Sequence, residues 1–378
     1  MPAVTMLPVA GHTTTGPTAK KPPDRRLFRN PDCKAPENRR AVGRPGRELR
    51  TVGMASTPAS GSYTPDPLGP DFEQRRLPQP PDYEGPVQAV LVRATAAPAT
   101  GRAVLYVHGF NDYFFQTEMA AQYTAHGYRF YALDLRKYGR AILPHQHPNN
   151  VRSLTEYFAD LDTALAVVRA EGGQQVVLSG HSTGGLIVAL YAAARPAAAV
   201  ALVLNSPFLE LHQARIKRLG VPLLAALGRL WPNLRVPAGL SDSYGQSLHR
   251  AYRGHWDYNL AWKPNHVFGV NAGWLRAIRQ GHAQVRAGLG IAAPVLVLHA
   301  SRTAVGRQWS DDFQRADIVL NVAHIRHLAP RLGPNVTVQE IPDGIHDLFL
   351  SGPAARARAY QTVFSWLAQV LPALAVRQ

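Results

Sequence analysis

The segment Gly180-His181-Ser182-Thr183-Gly184 sets one serine between two glycines, where an apolar run (175–179, QVVLS) meets an Ala/Leu-rich stretch (184–194). The run reads as a buried strand and the stretch as a helix. A serine on so tight a strand-to-helix turn is lifted clear of the sheet. The glycines leave room where any Cβ would strike the neighbouring strand or helix. Five residues alone are moderately informative; their position at a strand-to-helix junction gives them weight. The chemistry this predicts is nucleophilic attack by Ser182.

A serine hydroxyl is a weak nucleophile at neutral pH and needs a general base, oriented in turn by a carboxylate. In this arrangement the acid and then the histidine follow the serine in the chain. His346, in Asp343-Gly344-Ile345-His346-Asp347, combines a late position with a loop between a strand (336–341) and the last helix. It is the candidate base. The acid is less sharply marked, because the strand 294–300 runs into Ser301-Arg302-Thr303-Ala304-Val305 without a carboxylate. Asp317, which opens the apolar run Asp317-Ile318-Val319-Leu320, is the first candidate; Asp311, Asp312 and Asp343 remain alternatives. Asp134 precedes the serine and reads as a structural turn residue.

Stabilising an oxyanion takes two backbone N–H groups aimed at the developing charge. One falls to Thr183, directly after the serine. The other falls to Phe110, in the tight turn His108-Gly109-Phe110 after the strand 103–107. His108 reads as a residue that bonds this turn rather than as a catalyst.

Runs rich in β-branched residues at 87–92, 103–107, 129–135, 175–179, 200–204, 294–300 and 336–341 alternate with helical spacing at 117–126, 154–169, 184–194 and 354–371. Ser153 is the expected N-cap of the second helix. Such alternation predicts an α/β fold, a mostly parallel sheet covered on both faces. The section 208–290 breaks it and reads as a cap-like insertion across one end of the sheet. Within it, Leu223, Leu224, Leu227, Leu230 and Trp231 have the spacing of an apolar helical face, suited to packing on the sheet's rim or to meeting an acyl chain. Arg215, Lys217, Arg218, Arg229 and Arg235 form either a solvated face or one that favours anionic lipid.

Residues 1–85 differ in texture, and we expect a basic, Pro-rich, disordered tail there, with the folded domain over 86–378. Residues 1–53 hold eleven Lys/Arg against four Asp/Glu and few large apolar side chains, too few to offset the entropy of ordering. Met54 opens a second candidate start, which would set 1–53 outside the natural protein. With 46% hydrophobic and 17% charged residues, wholesale disorder is excluded for the remainder. The net charge of +16 raises contact with nucleic acid or anionic lipid as questions. No aromatics interleave with the tail's charges, so nucleic acid is not the expected partner. The single cysteine, Cys33, excludes a disulfide framework. No apolar run approaches the roughly 20 residues of a membrane span, and no export signal is evident, so the expected location is cytoplasmic.

HGFND (108–112), DLRKYGR (134–140), GHSTGG (180–185), DIVL (317–320) and GIHD (344–347) together resemble the α/β-hydrolase superfamily. The branch they look most like is that of the monoacylglycerol lipases, lysophospholipases and serine aminopeptidases, over about residues 86–372. The resemblance implies an eight-stranded, mostly parallel sheet with a helical cap after the sixth strand. It also implies hydrolysis of a small acyl ester, acylglycerol- or lysophospholipid-like, without metal or other cofactor. Carried over position by position, Ser182 is nucleophile, His346 base and Asp317 acid, with Phe110 and Thr183 as oxyanion donors. The stretch after Ala300 departs from the pattern, since an aspartate usually stands close behind that strand. Two rival expectations are a catalytically silent scaffold of the same fold that acts as a binding module, and a peptide or amide hydrolase.

Overall fold

Apolar runs give this chain a sheet whose central strands are buried on both faces. The computed structural model describes residues 61–211, 226–236, 241–306 and 309–371. The basic residues of 1–53, Cys33, Leu223, Leu224, Arg215, Lys217 and Arg218 lie outside them. The strands are β1 (Thr64–Asp66), β2 (Gly69–Asp82), β3 (Gly85–Ala94), β4 (Arg102–Val107), β5 (Arg129–Asp134), β6 (Gln175–His181), β7 (Ala201–Asn205), β8 (Arg235–Val236), β9 (Val270–Asn271), β10 (Val295–Ala300) and β11 (Val336–Ile341). The helices are α1 (Thr117–Ala125), α2 (Glu156–Ala170), α3 (Thr183–Ala194), α4 (Ser243–Leu248), α5 (Ala272–Ala287), α6 (Val322–Leu328) and α7 (Pro353–Val370).

Nine strands form one mixed sheet in the order β1-β2-β3-β5-β4-β6-β7-β10-β11. From β5 to β11 all pairs are parallel, while β1, β2 and β3 join as an antiparallel edge. After β4 the chain steps outward to β5, then crosses back to β6 on the other side of β4. This reversal of winding opens a crevice at the carboxyl ends of β4 and β6, where sheets of this kind bind ligands. Two apolar layers cover the sheet: α2, α3, α5 and α6 supply one, α1 and α7 the other.

Two expectations need correction. The sheet has nine strands rather than eight, and the folded region begins well before residue 86, because β1 and β2 belong to it. Prolines and charges disguise β2. Pro78 and Pro80 lie beyond the part of β2 that β1 covers (69–74), so the missing proline N–H costs no ladder bond on that open side. Several acids of this edge are paired by the DLRKYGR loop. Lys137 Nζ, fully buried, lies 2.7 Å from both Asp82 and Glu84, and Arg140 lies 2.6 Å from Asp66 and 2.9 Å from Asp134. Arg136 pairs with buried Asp160 at 2.7 Å.

The insertion is also narrower than 208–290. α5 buries Trp274, Leu275, Ile278 and Val285 in the same layer as α2 and α3, with its arginines on the other face. It is a covering helix of the sheet. α2 starts at Glu156, with Thr155 rather than Ser153 at the cap position. Leu230 and Trp231 are 69% and 60% exposed, so neither packs on the rim. No helix among the described residues is long and apolar enough to cross a membrane.

Candidate active site

β6 ends at His181 and α3 begins at Thr183, leaving Ser182 alone in the turn with φ +52° and ψ −115°. That conformation costs a non-glycine residue about 1–3 kcal/mol and persists only when its surroundings hold it. They do so through three bonds. The Ser182 N–H donates to the Asn205 carbonyl (3.0 Å), and its own carbonyl accepts from Phe208 N–H (2.9 Å) and Leu186 N–H (3.2 Å). A Cβ on Gly184 would stand 2.3 Å from the His108 carbonyl oxygen and 2.4 Å from that of Val107. Only glycine lets the elbow lie so close to the end of β4.

His346 sits in the loop after β11. Its Nε2 lies 3.0 Å from Ser182 Oγ and its Nδ1 2.9 Å from Asp317 Oδ2. The other oxygen of Asp317 accepts from the N–H groups of Val319 (2.8 Å) and Leu320 (2.7 Å), so the carboxylate is held from behind. Asp317 is fully buried and His346 nearly so. The aspartate reaches this position although sixteen residues, 301–316, divide it from the end of β10. After β10 the chain makes an excursion and then docks back on itself. Asp317 N–H donates to the Arg302 carbonyl (3.0 Å), Ala304 N–H donates to the Asp317 carbonyl (3.0 Å), and Thr303 and Asp317 form a parallel bridge. Sequence distance is thus cancelled in space. Of the alternatives, Asp312 is exposed and pairs with Arg302 at 2.6 Å, which holds its carboxyl below the usual range. Asp311 is exposed, and so is Asp343, which lies in a turn at φ +55°.

The loop after β4 lies against the elbow. A Cβ on Gly109 would be 3.0 Å from His181 Nδ1 and 3.2 Å from Ser182 Cβ, so Phe110 follows directly on the point of contact. His108 accepts from Leu135 N–H at Nε2 (3.1 Å), leaving Nδ1 to donate to the Gly109 carbonyl (2.8 Å). Burial holds this imidazole below its ordinary pKa, in keeping with a neutral structural role. Asp134 likewise serves structure, accepting from Phe114 N–H (3.0 Å) and Arg140 N–H (3.0 Å). Thr183, nearly buried, is the first residue of α3, where the helix dipole favours negative charge.

Sequence reading missed a polar cluster behind these groups. Asp112, Lys263, His181 and Asp347 converge there, and the Tyr244 ring stands edge-on to His346 at 5.4 Å. Asp112 and Asp347 were visible as the ends of two motifs. Lys263 carried no local signal at all. Among the described residues, no group of three or more His, Cys, Asp or Glu side chains is arranged to hold a metal.

A mostly parallel sheet with helices on both faces, a serine on the strand-to-helix elbow and a histidine after the last strand define an α/β-hydrolase. Residues 98–351, more than half of the chain, match the family described as serine aminopeptidase, S33, and the chain belongs to that family. It is similar to a monoacylglycerol lipase of Mycolicibacterium smegmatis, 27% identical over 254 residues that cover 65% of this chain and 81% of the relative. Among solved structures it resembles a monoacylglycerol lipase of Paleococcus ferrophilus, with a TM-score of 0.57 and 22% identity over 74% of this chain and 99% of that one. A soluble variant of monoglyceride lipase from Saccharomyces cerevisiae, solved with a substrate analogue, matches with a TM-score of 0.59 and 18% identity, covering 78% and 94% of the two chains. The protein is a hydrolase of the lipase/esterase type.

Proposed function

We propose that this hydrolase cleaves carboxylic esters of the monoacylglycerol class through an acyl-enzyme on Ser182. The observation that carries the reading is the unbroken chain from Ser182 Oγ to His346 to Asp317. Ser182 attacks the ester carbonyl while His346 Nε2 takes its proton. The carbonyl electrons move onto oxygen, where the N–H groups of Phe110 and Thr183 receive the charge. The intermediate collapses, His346 returns the proton to the departing glycerol oxygen, and the acyl group stays on Ser182. Water, deprotonated by the same imidazole, then releases the fatty acid. Asp317 fixes the tautomer that leaves Nε2 free to accept.

Support for the substrate class comes from the names of the similar proteins. A lysophospholipid, also a single-chain acyl ester, is the alternative ester within the same chemistry. Contact with anionic lipid is a further part of the proposal. It rests on exposed Leu230, Trp231 and Leu234, which stand beside exposed Arg229 and Arg235.

The test is labelling by a fluorophosphonate together with turnover of 1-monoacylglycerol, lysophosphatidylcholine and an aminoacyl amide. The wild type should label and hydrolyse the acylglycerol fastest, and Ser182→Ala should do neither. Faster turnover of the amide would move the assignment to a peptidase. Absence of labelling and turnover would leave a silent scaffold.

A further inference from the structure

The loop that carries Phe110 is gripped by α5 at Trp274 and by the insertion at residues 258–268. The Phe110 ring meets Trp274 at 4.5 Å. Asn111, at φ +52°, donates to the Pro264 carbonyl (2.9 Å) and accepts from Phe268 N–H (3.1 Å). Asp112 Oδ1 receives Lys263 Nζ at 2.7 Å. Tyr113 Oη accepts from Asn259 N–H (2.7 Å), and the Phe115 ring faces Tyr258 at 4.8 Å.

Among these six contacts only that of Asp112 with Lys263 carries charge, and both residues are buried. The ammonium stands among the rings of Phe115, Tyr244 and Tyr258, each 5.7–5.8 Å away. Burial alone would raise the Asp112 carboxyl, but Lys263 and then His181 outweigh it and hold the group well below the usual range. The carboxylate of Asp112 thus faces the Lys263 ammonium as its counter-ion. Its second oxygen lies 3.6 Å from His181, whose ring is 4.9 Å from that of His346. Such an anion without a partner would oppose negative charge growing on a substrate oxygen held by the same loop.

We propose that Lys263 is a positioning residue of the hydrolytic site, the counter-ion that neutralises Asp112 and fixes the Phe110 loop; this rests on the ester-hydrolase reading above. The insertion is then more than a cover. It completes the electrostatics of the oxyanion loop from across the chain.

The experiment measures kcat and KM on p-nitrophenyl butyrate, per site titrated with a fluorophosphonate, for K263M, K263R, D112N and D112N/K263M. K263M should lose about 10–100-fold in kcat, with KM changed by less than about threefold. K263R should restore most of the loss. D112N keeps an oxygen for the Tyr113 N–H now bonded at 2.9 Å and leaves a lone cation, so it should lose less than K263M. The double variant should also exceed K263M. A role in scaffolding alone would lower all three charge-breaking variants alike, and that result, or wild-type kcat in K263M, overturns the proposal. If K263M does not fold, the double variant decides: kcat within about thirtyfold of wild type upholds the proposal and a greater loss refutes it. Failure of the wild type to be titrated would instead strike the hydrolase reading, before Lys263 is reached.

Discussion

Replacing Asp317 by asparagine separates the two jobs that its oxygens do. One oxygen accepts from Val319 and Leu320 N–H groups, and the other faces His346 Nδ1. An asparagine keeps its oxygen on the two backbone N–H groups, since turning its amide toward them would oppose donor to donor. Its NH2 group then points at Nδ1 and forces the imidazole to accept there, which places the proton on Nε2. That is the nitrogen 3.0 Å from Ser182 Oγ, now unable to take the serine's proton. Loss of the correct tautomer in such a triad lowers kcat by about 10⁴, equivalent to about 5 kcal/mol of barrier. Stability should hardly move, by about 1 kcal/mol or less, because the backbone caps survive. The assay is kcat per folded molecule with p-nitrophenyl butyrate, beside a thermal melt. Asp312→Asn and Asp343→Asn serve as controls and should stay within about twofold, as surface substitutions do. If Asp317→Asn retained more than a tenth of wild-type kcat, or a control lost as much, the tautomer reasoning would be refuted.

Other consequences can be checked by similar means. Gly184→Ala would drive a methyl group into two backbone carbonyls and should cost at least about 3 kcal/mol in urea unfolding, with loss of activity. Lys137→Met leaves the half-buried Asp82 and Glu84 without their cation and should cost about 3 kcal/mol, the lower end for a broken buried pair, by the same measurement. His282 is held below its ordinary pKa, chiefly by burial, with Arg286 and Arg279 reinforcing the shift and Glu210 and the Phe208 carbonyl opposing it. The folded state therefore stays neutral where the unfolded chain takes up a proton. Stability should fall as pH drops below about 6.5, down to the lowered folded-state pKa. Unfolding at pH 7.5 and 5.0 should show a smaller difference in His282→Gln than in the wild type.

What could be read in the sequence was local. The elbow's glycines, serine and flanking elements lie within twenty residues, and the backbone clash that makes Gly184 obligatory leaves its mark on the residue itself. His346 was marked by its place after β11 and before α7. Asp317 was only half legible. Its Asp-Ile-Val-Leu segment was suggestive, yet the bridge to Thr303 that returns it to the end of β10 is a pairing between two irregular stretches. β2 was hidden because edge strands tolerate the prolines and charges that argue against a central one, and Asp82 at its end finds its cation, Lys137, more than fifty residues away. α5 reads as part of the insertion because Trp, Arg and His are scattered along its neighbourhood, although its own buried residues recur at helical intervals.

The contacts between the insertion and the loop after β4 were the least legible, and the reason is general. A charge pair such as Asp112–Lys263 spans 151 positions, so neither partner sits in a pattern that a window could detect. Only the desolvation of both groups makes the pairing obligatory, because either ion buried alone would be strongly destabilising. Residues that set a site's electrostatics from behind are thus constrained by burial and by charge, two properties that the fold confers. Ser182 and His346 are constrained by chemical type and by the turn and loop that hold them, which is why they could be singled out in advance while Lys263 could not.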